Sequence, residues 1–161
     1  MAIRYCIPDL TTGDNDGTSE ANAWQTTADC ISNYAGGDHI YFKTPADGSR
    51  ADASRVDVDN AGARIEFSTS SSDTSGPTIL EGYKTTPGDK GMFRIGGATR
   101  ITADNLKILY WDMDSGNSNQ TTLELNGDGE LAYRCVINSN NEDPAFTVTM
   151  TDATLLECAV Y

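Results

Sequence analysis

At 161 residues the chain has the length of one domain and can bury a core of its own. Its 11 basic and 24 acidic residues give a net charge of −13, which repels phosphate backbones, and the basic residues are too dispersed to form a nucleic-acid patch. Apolar residues make up 38%, Gly, Ser, Thr, Asn and Asp are abundant, and no apolar run approaches the ~20 residues of a membrane helix, so the usage is that of a turn-dense β protein.

In chain order, Ile3 to Ile7 reads as a short strand, and Pro8 to Gly17 as a loop loaded with Asp, Asn, Thr and Gly. Trp24, Ala28, Ile31 and Tyr34 recur at three- and four-residue spacing, which predicts a helix capped by Thr18, Ser19 or Asn22 and ended by Gly36-Gly37. His39 to Lys43 alternates around Ile40 and Phe42 as a strand. The stretch from Pro45 to Gly76 is loop-rich, with strand candidates at Arg55 to Val58 and Arg64 to Phe67 and a flexible Ser/Thr tract at Ser68 to Ser75. Pro77 to Tyr83 is a clearer strand, and beyond the Lys84 to Gly91 turn the segments are short, β-prone and separated by Gly, Asn or Asp.

The last third holds a repeat. Three strand-turn-strand units begin at Phe93-Arg94-Ile95, Leu123-Glu124-Leu125 and Phe146-Thr147-Val148, and continue into Leu106 to Met113, Leu131 to Ile137 and Thr154 to Val160. Trp111, Cys135 and Cys158 form a column at steps of 24 and 23 residues. Leu109, Tyr133 and Leu156 form a second column, and Met113, Ile137 and Val160 a third. Period-two alternation predicts that all three face inward, stacked ~4.8 Å apart, with Tyr110, Arg134 and Glu157 outside and Arg134 paired to Glu157 across coils. A single coil cannot bury its own apolar face; its neighbours supply the missing wall.

At these residues the chain resembles the pectate-lyase-like right-handed parallel β-helix superfamily, particularly its phage and metagenomic members. Residues 13–26 with a short helix and 36–43 are similar to that superfamily's N-terminal cap and first coil, and Tyr133 to Asn138 and Leu156 to Val160 to coil strands with an inward Cys. The resemblance leaves residues 44–90 unmatched. It implies an all-β fold, a right-handed parallel β-helix with a short N-terminal cap helix. Residues 1–43 would be the cap and first coil strand, and residues 44–161 the coils of the same domain. Such a fold hosts lyases, hydrolases, adhesins and inert spikes, so function has to be read from sites.

Asp14 and Asp16 beside Gly17 invite a calcium reading, but an EF-hand register would place Thr12 and Ala23 at ligand positions, which favours a structural turn. Asp112 and Asp114 should face outward with Asn138 above Asp114. They could serve glycan hydrolysis, or hold a cation for uronate elimination with Arg134 as base, although acidic residues ordinarily cover a solenoid. His39 has no Ser or Cys partner in an activating motif, Trp24 and Trp111 read as core, and an exposed sugar platform would need Tyr110 or Tyr161. Cys6, Cys30, Cys135 and Cys158 lack zinc spacing. Cys6 and Cys30 can meet as a disulfide if the first strand and helix pack together, with buried free thiols the simpler outcome.

No cofactor is implied. The N-terminus lacks a secretory pattern, and the chain stops inside a coil strand, which predicts a continuation or a docked subunit at that end. The expectation is a non-enzymatic virion protein, a decoration, fibre or spike component at the virion surface or outside the cell. It would self-associate, as a homotrimer, or dock on other virion proteins, with no nucleic-acid or membrane partner. The alternatives are a β-helix that binds or cleaves cell-surface glycans, and a secreted adhesin repeat.

Overall fold

The computed structural model describes residues 1–45, 51–52, 64–72, 74–114, 122–138 and 148–161. Among them the chain forms one helix and strands paired in parallel. In order these are β1 (Ile3–Cys6), α1 (Thr27–Asn33), β2 (His39–Lys43), β3 (Ala51–Asp52), β4 (Arg64–Phe67), β5 (Thr78–Tyr83), β6 (Phe93–Gly96), β7 (Ala98–Ile101) and β8 (Leu106–Leu109). They continue as β9 (Trp111–Asp114), β10 (Leu123–Leu125), β11 (Leu131–Tyr133), β12 (Val136–Asn138), β13 (Val148–Met150), β14 (Thr154–Leu156) and β15 (Ala159–Val160). The strand candidate at Arg55 to Val58 lies outside the described residues, as do Phe146 and Thr147.

Three sheets result: β1-β2-β5-β8-β11-β14, β4-β7-β10-β13 and β3-β6-β9-β12-β15. From β5 onward the chain visits them in strict rotation, so each strand lies beside its equivalent from the turn before. The architecture is all-β and solenoid-like. Four large rings contributed by all three sheets meet in its middle: Trp111 lies 4.9 Å from both Phe42 and Phe93 and 6.2 Å from Phe67, and all four are fully buried. Edge-on contacts of this kind add to their large burial.

The columns are in register but do not all face inward. Phe93 pairs with Trp111 and Ile95 with Met113, Ile137 pairs with Met113 and Val160, and Cys135 follows Trp111; all but Val160 are buried. Leu109 and Tyr133, by contrast, are only half-buried and Leu156 is exposed, whereas Leu106, Ile108 and Ala132 fill the interior.

The reason is a corner. Tyr110, Arg134 and Glu157 adopt φ of 59°, 52° and 53°, the left-handed region, so that Leu106 to Met113 is two strands with a kink between them. One such residue reverses the alternation, and Ile108 and Trp111 point inward although they are three apart. The strain of a left-handed non-glycine residue is ~1–2 kcal/mol. Backbone bonds between coils help offset it, Tyr110 N–H donating to Tyr133 C=O at 3.1 Å and Arg134 N–H to Leu156 C=O at 3.0 Å. A second stacked corner holds Asn105 and Asp152 at φ of 56° and 49°, with Gly129 between them at 74°.

The expected equivalence of Phe93–Ile95 with Leu123–Leu125 also gives way. β6 belongs to the sheet of β9, while Leu123 pairs with Thr99 on one side and Val148 on the other.

At the N-terminal end the helix is shorter than its apolar spacing predicted. Trp24 leaves it to form a parallel bridge with Cys6, its N–H donating to Tyr5 C=O at 2.9 Å. Its indole lies against Gly17, where an added Cβ would stand 2.6 Å from the ring. Thr26 is the helix cap, its Oγ1 accepting from Asp29 N–H at 3.0 Å. The Ser/Thr tract is pinned along much of its length: Thr69 N–H donates to Tyr34 Oη at 2.7 Å, and Asp104 N–H to Ser70 Oγ at 3.0 Å.

Candidate functional site

Asp112 and Asp114 sit on β9, half-buried, with Asn138 in register beside Asp114. Asp112 Oδ2 accepts from Arg94 Nε at 3.1 Å, Arg94 being its partner on the preceding coil. Arg134 stands at the corner between β11 and β12. Its Nε donates to Glu157 Oε2 at 2.6 Å, and its guanidinium lies over the Tyr133 ring at 5.1 Å. The Glu157 hydrogen bond pushes the Arg134 pKa above its ordinary value, which opposes any use of this side chain as a base. The same pattern recurs on the four-stranded sheet, where Arg100 on β7 binds Glu124 on β10 and lies 3.8 Å from Glu66 on β4.

The Asp14–Gly17 segment is a hydrogen-bonded turn. Asp16 Oδ1 accepts from the Thr18 hydroxyl at 2.7 Å and the Thr18 N–H at 2.9 Å, which holds its carboxyl below the usual range. Asp14 N–H donates to Asn22 Oδ1 at 3.3 Å. Both aspartates are thereby tied into the loop that packs on Trp24. Trp111 is interior; Tyr110, expected outside, is instead buried, with its ring 5.8 Å from that of Tyr133, and Tyr161 is exposed.

The outer face of the six-stranded sheet assembles a group that sequence reasoning missed. Register places Tyr5, Tyr41 and Glu81 in one row and Ile3, His39 and Ile79 in the next. The His39 ring lies 4.4 Å from that of Tyr41, its Nε2 is 2.8 Å from Glu81 Oε2, and Tyr5 and Tyr41 are 5.9 Å apart. Burial, then the neighbouring Glu81 and Tyr5, raises the Tyr41 pKa.

In the adjoining row Lys43 lies over the Tyr83 ring at 5.5 Å and 3.7 Å from Glu20. Burial, reinforced by Glu20, pushes the Tyr83 phenol well up. Beside this row is a cavity of about 440 Å³ lined by Ile7, Leu10 and Ala21 with Asp9, Glu20 and Lys43. The signal for this surface was the matching alternation His39-x-Tyr41-x-Lys43 and Ile79-x-Glu81-x-Tyr83, whose 40-residue offset crosses the stretch in which no repeat was visible.

Among the described residues no cluster of three or more His, Cys, Asp or Glu is arranged to hold a metal ion, and no helix is long and apolar enough to cross a membrane. Comparison of the chain with protein-family models, with curated proteins and with solved structures found no match.

Proposed function

We propose that the chain is a right-handed parallel β-helix and serves as a non-enzymatic structural part of a bacteriophage virion, a decoration, fibre or spike component. It acts at the particle surface or outside the cell and self-associates as a homotrimer or docks on other virion proteins. The observation that carries the structural reading is the use of outward charges between coils. Arg94 holds Asp112, Arg100 holds Glu124 and Arg134 holds Glu157, each one coil away, so residues suited to chemistry instead keep neighbouring strands in register.

Rotation through three parallel sheets supports the helix, and the right hand is the one that strand–crossover–strand connections take in ~98% of cases. The likeness of the cap and Cys-bearing strands to phage members of the superfamily supplies the setting.

Light scattering is expected to give a trimer mass; a monomer at working concentration would remove the self-association. Incubation with a panel of polysaccharides should release neither reducing ends nor unsaturated uronates, and turnover that vanishes in Asp112→Asn would overturn the non-enzymatic reading. Mass spectrometry of purified particles should contain the chain.

The Tyr5, Tyr41 and His39–Glu81 group favours a second reading, a glycan-binding β-helix, because it offers flat ring faces beside paired polar atoms. Calorimetry against neutral and acidic oligosaccharides tests it. Binding lost in Tyr41→Ala with unchanged folding supports this reading, and no heat from any oligosaccharide removes it.

A further inference from the structure

The five-stranded sheet brings two cysteines together that no function proposed above uses. Val136 pairs with Ala159, and Ala159 N–H donates to Cys135 C=O at 2.9 Å, so Cys135 and Cys158 stand side by side on consecutive coils. Adjacent parallel strands run ~4.8 Å apart, inside the Cα separation that a disulfide spans. Cys158 Sγ accepts from the Cys135 N–H at 3.4 Å, and its thiol donates to Ala132 C=O at 3.3 Å. They differ in setting: Cys135 is 1% exposed above Trp111, whereas Cys158 is only partly buried.

We propose that Cys135 and Cys158 form a thiol–disulfide exchange site for low-molecular-weight disulfides, with Cys158 as the attacking and Cys135 as the resolving thiol. In the first step the Cys158 thiolate attacks one sulfur of a disulfide RSSR, forming Cys158–S–SR and releasing RS⁻. In the second, Cys135 loses its proton to RS⁻ or water and attacks Cys158 Sγ, expelling the second RS⁻. The sum is RSSR plus two protein thiols giving one intramolecular disulfide and two RSH; the protein is oxidised and the small disulfide reduced.

The asymmetry suits this order. Hydrogen bonds from the Cys135 thiol and backbone bring the Cys158 pKa down to about 6, while that hydrogen bond to Cys158 and then burial push Cys135 far up. Capping Cys158 removes the thiolate acceptor of that hydrogen bond and so the larger of the two causes that hold the Cys135 proton.

The test uses the intact chain. Under native conditions iodoacetamide should label Cys158 at least about tenfold faster than Cys6, Cys30 or Cys135. Oxidised glutathione should remove two thiols per chain, and digestion at acidic residues should recover Cys135 linked to Cys158. Cys135→Ser should stop at a Cys158–glutathione mixed disulfide and Cys158→Ser should take up none, with circular dichroism confirming that each is folded. If Cys135→Ser does not fold, labelling order and linkage in the natural chain decide. Four thiols surviving glutathione, a linkage through Cys6 and Cys30, or equal labelling of Cys158 and Cys135 would overturn the proposal.

Discussion

The middle of the molecule and its last two coils are built on the same columns and packed very differently. Around Trp111, rings from three sheets converge and every member is buried. Two coils on, the same column holds Cys158, Leu155 and Val148 are only partly buried, and Met150, Leu156 and Val160 are about half exposed. In a stacked fold a residue's contribution depends on the coil above and the coil below as much as on its own type. The aromatic layer has both, so the comparison predicts a steep gradient of mutational cost along the chain.

The sharpest way to break that comparison is to truncate one side chain of the middle layer and one of the last coil. Trp111→Ala should lower stability by about 3–5 kcal/mol in urea titration, and Leu156→Ala by less than about 1 kcal/mol, because only the first leaves a closed cavity. Equal losses would mean that the coils do not share one gradient. Gly17→Ala extends the test to the N-terminal end: a left-handed φ of 72° and an indole 2.6 Å from the new Cβ should cost about 1–3 kcal/mol, read as a lower melting midpoint.

The later coils should tolerate improvement. Burial raises the pKa of Glu130 despite the bond its carboxylate accepts from Gly127 N–H, and its Oε2 has no partner. A carboxyl whose folded pKa is raised binds its proton more tightly when folded, so stability falls as pH climbs above the unfolded value. Glu130→Gln should therefore stabilise the protein by about 1 kcal/mol at pH 7 in urea titration, with the advantage shrinking below ~pH 4.

The smallest effect is expected at Asp89, on an exposed turn. Burial slightly opposes its ionised form, but N–H groups of Thr85, Gly91, Thr86 and Lys84 donate to it and bring its pKa down to about 2. Its folded pKa is depressed, so its contribution is present above the unfolded value of ~3.9 and is lost as pH falls toward 2. Asp89→Asn should flatten that part of the acid-denaturation curve and leave the Trp111 layer, followed by near-ultraviolet circular dichroism, unchanged.

Much of this molecule could be read from residues alone, because the information was local or periodic. Composition set the β class, alternation located β2, β5 and the last strands, and steps of 24 and 23 residues aligned Trp111, Cys135 and Cys158 on successive coils. The outward pairing of Arg134 with Glu157 followed from the same register.

Tertiary structure alone decided which way several of those columns face. The sign of φ at Tyr110, Arg134 and Glu157 is not written in their residue types, since none is Gly or Asn. It arises because hydrogen bonds to the next coil and packing on both sides of the corner outweigh a modest local strain. That turn moves Leu109, Tyr133 and Leu156 outside. Tertiary structure also assembled the Tyr5, Tyr41, His39 and Glu81 group, because parallel pairing across long connections joins residues that no short-range pattern relates.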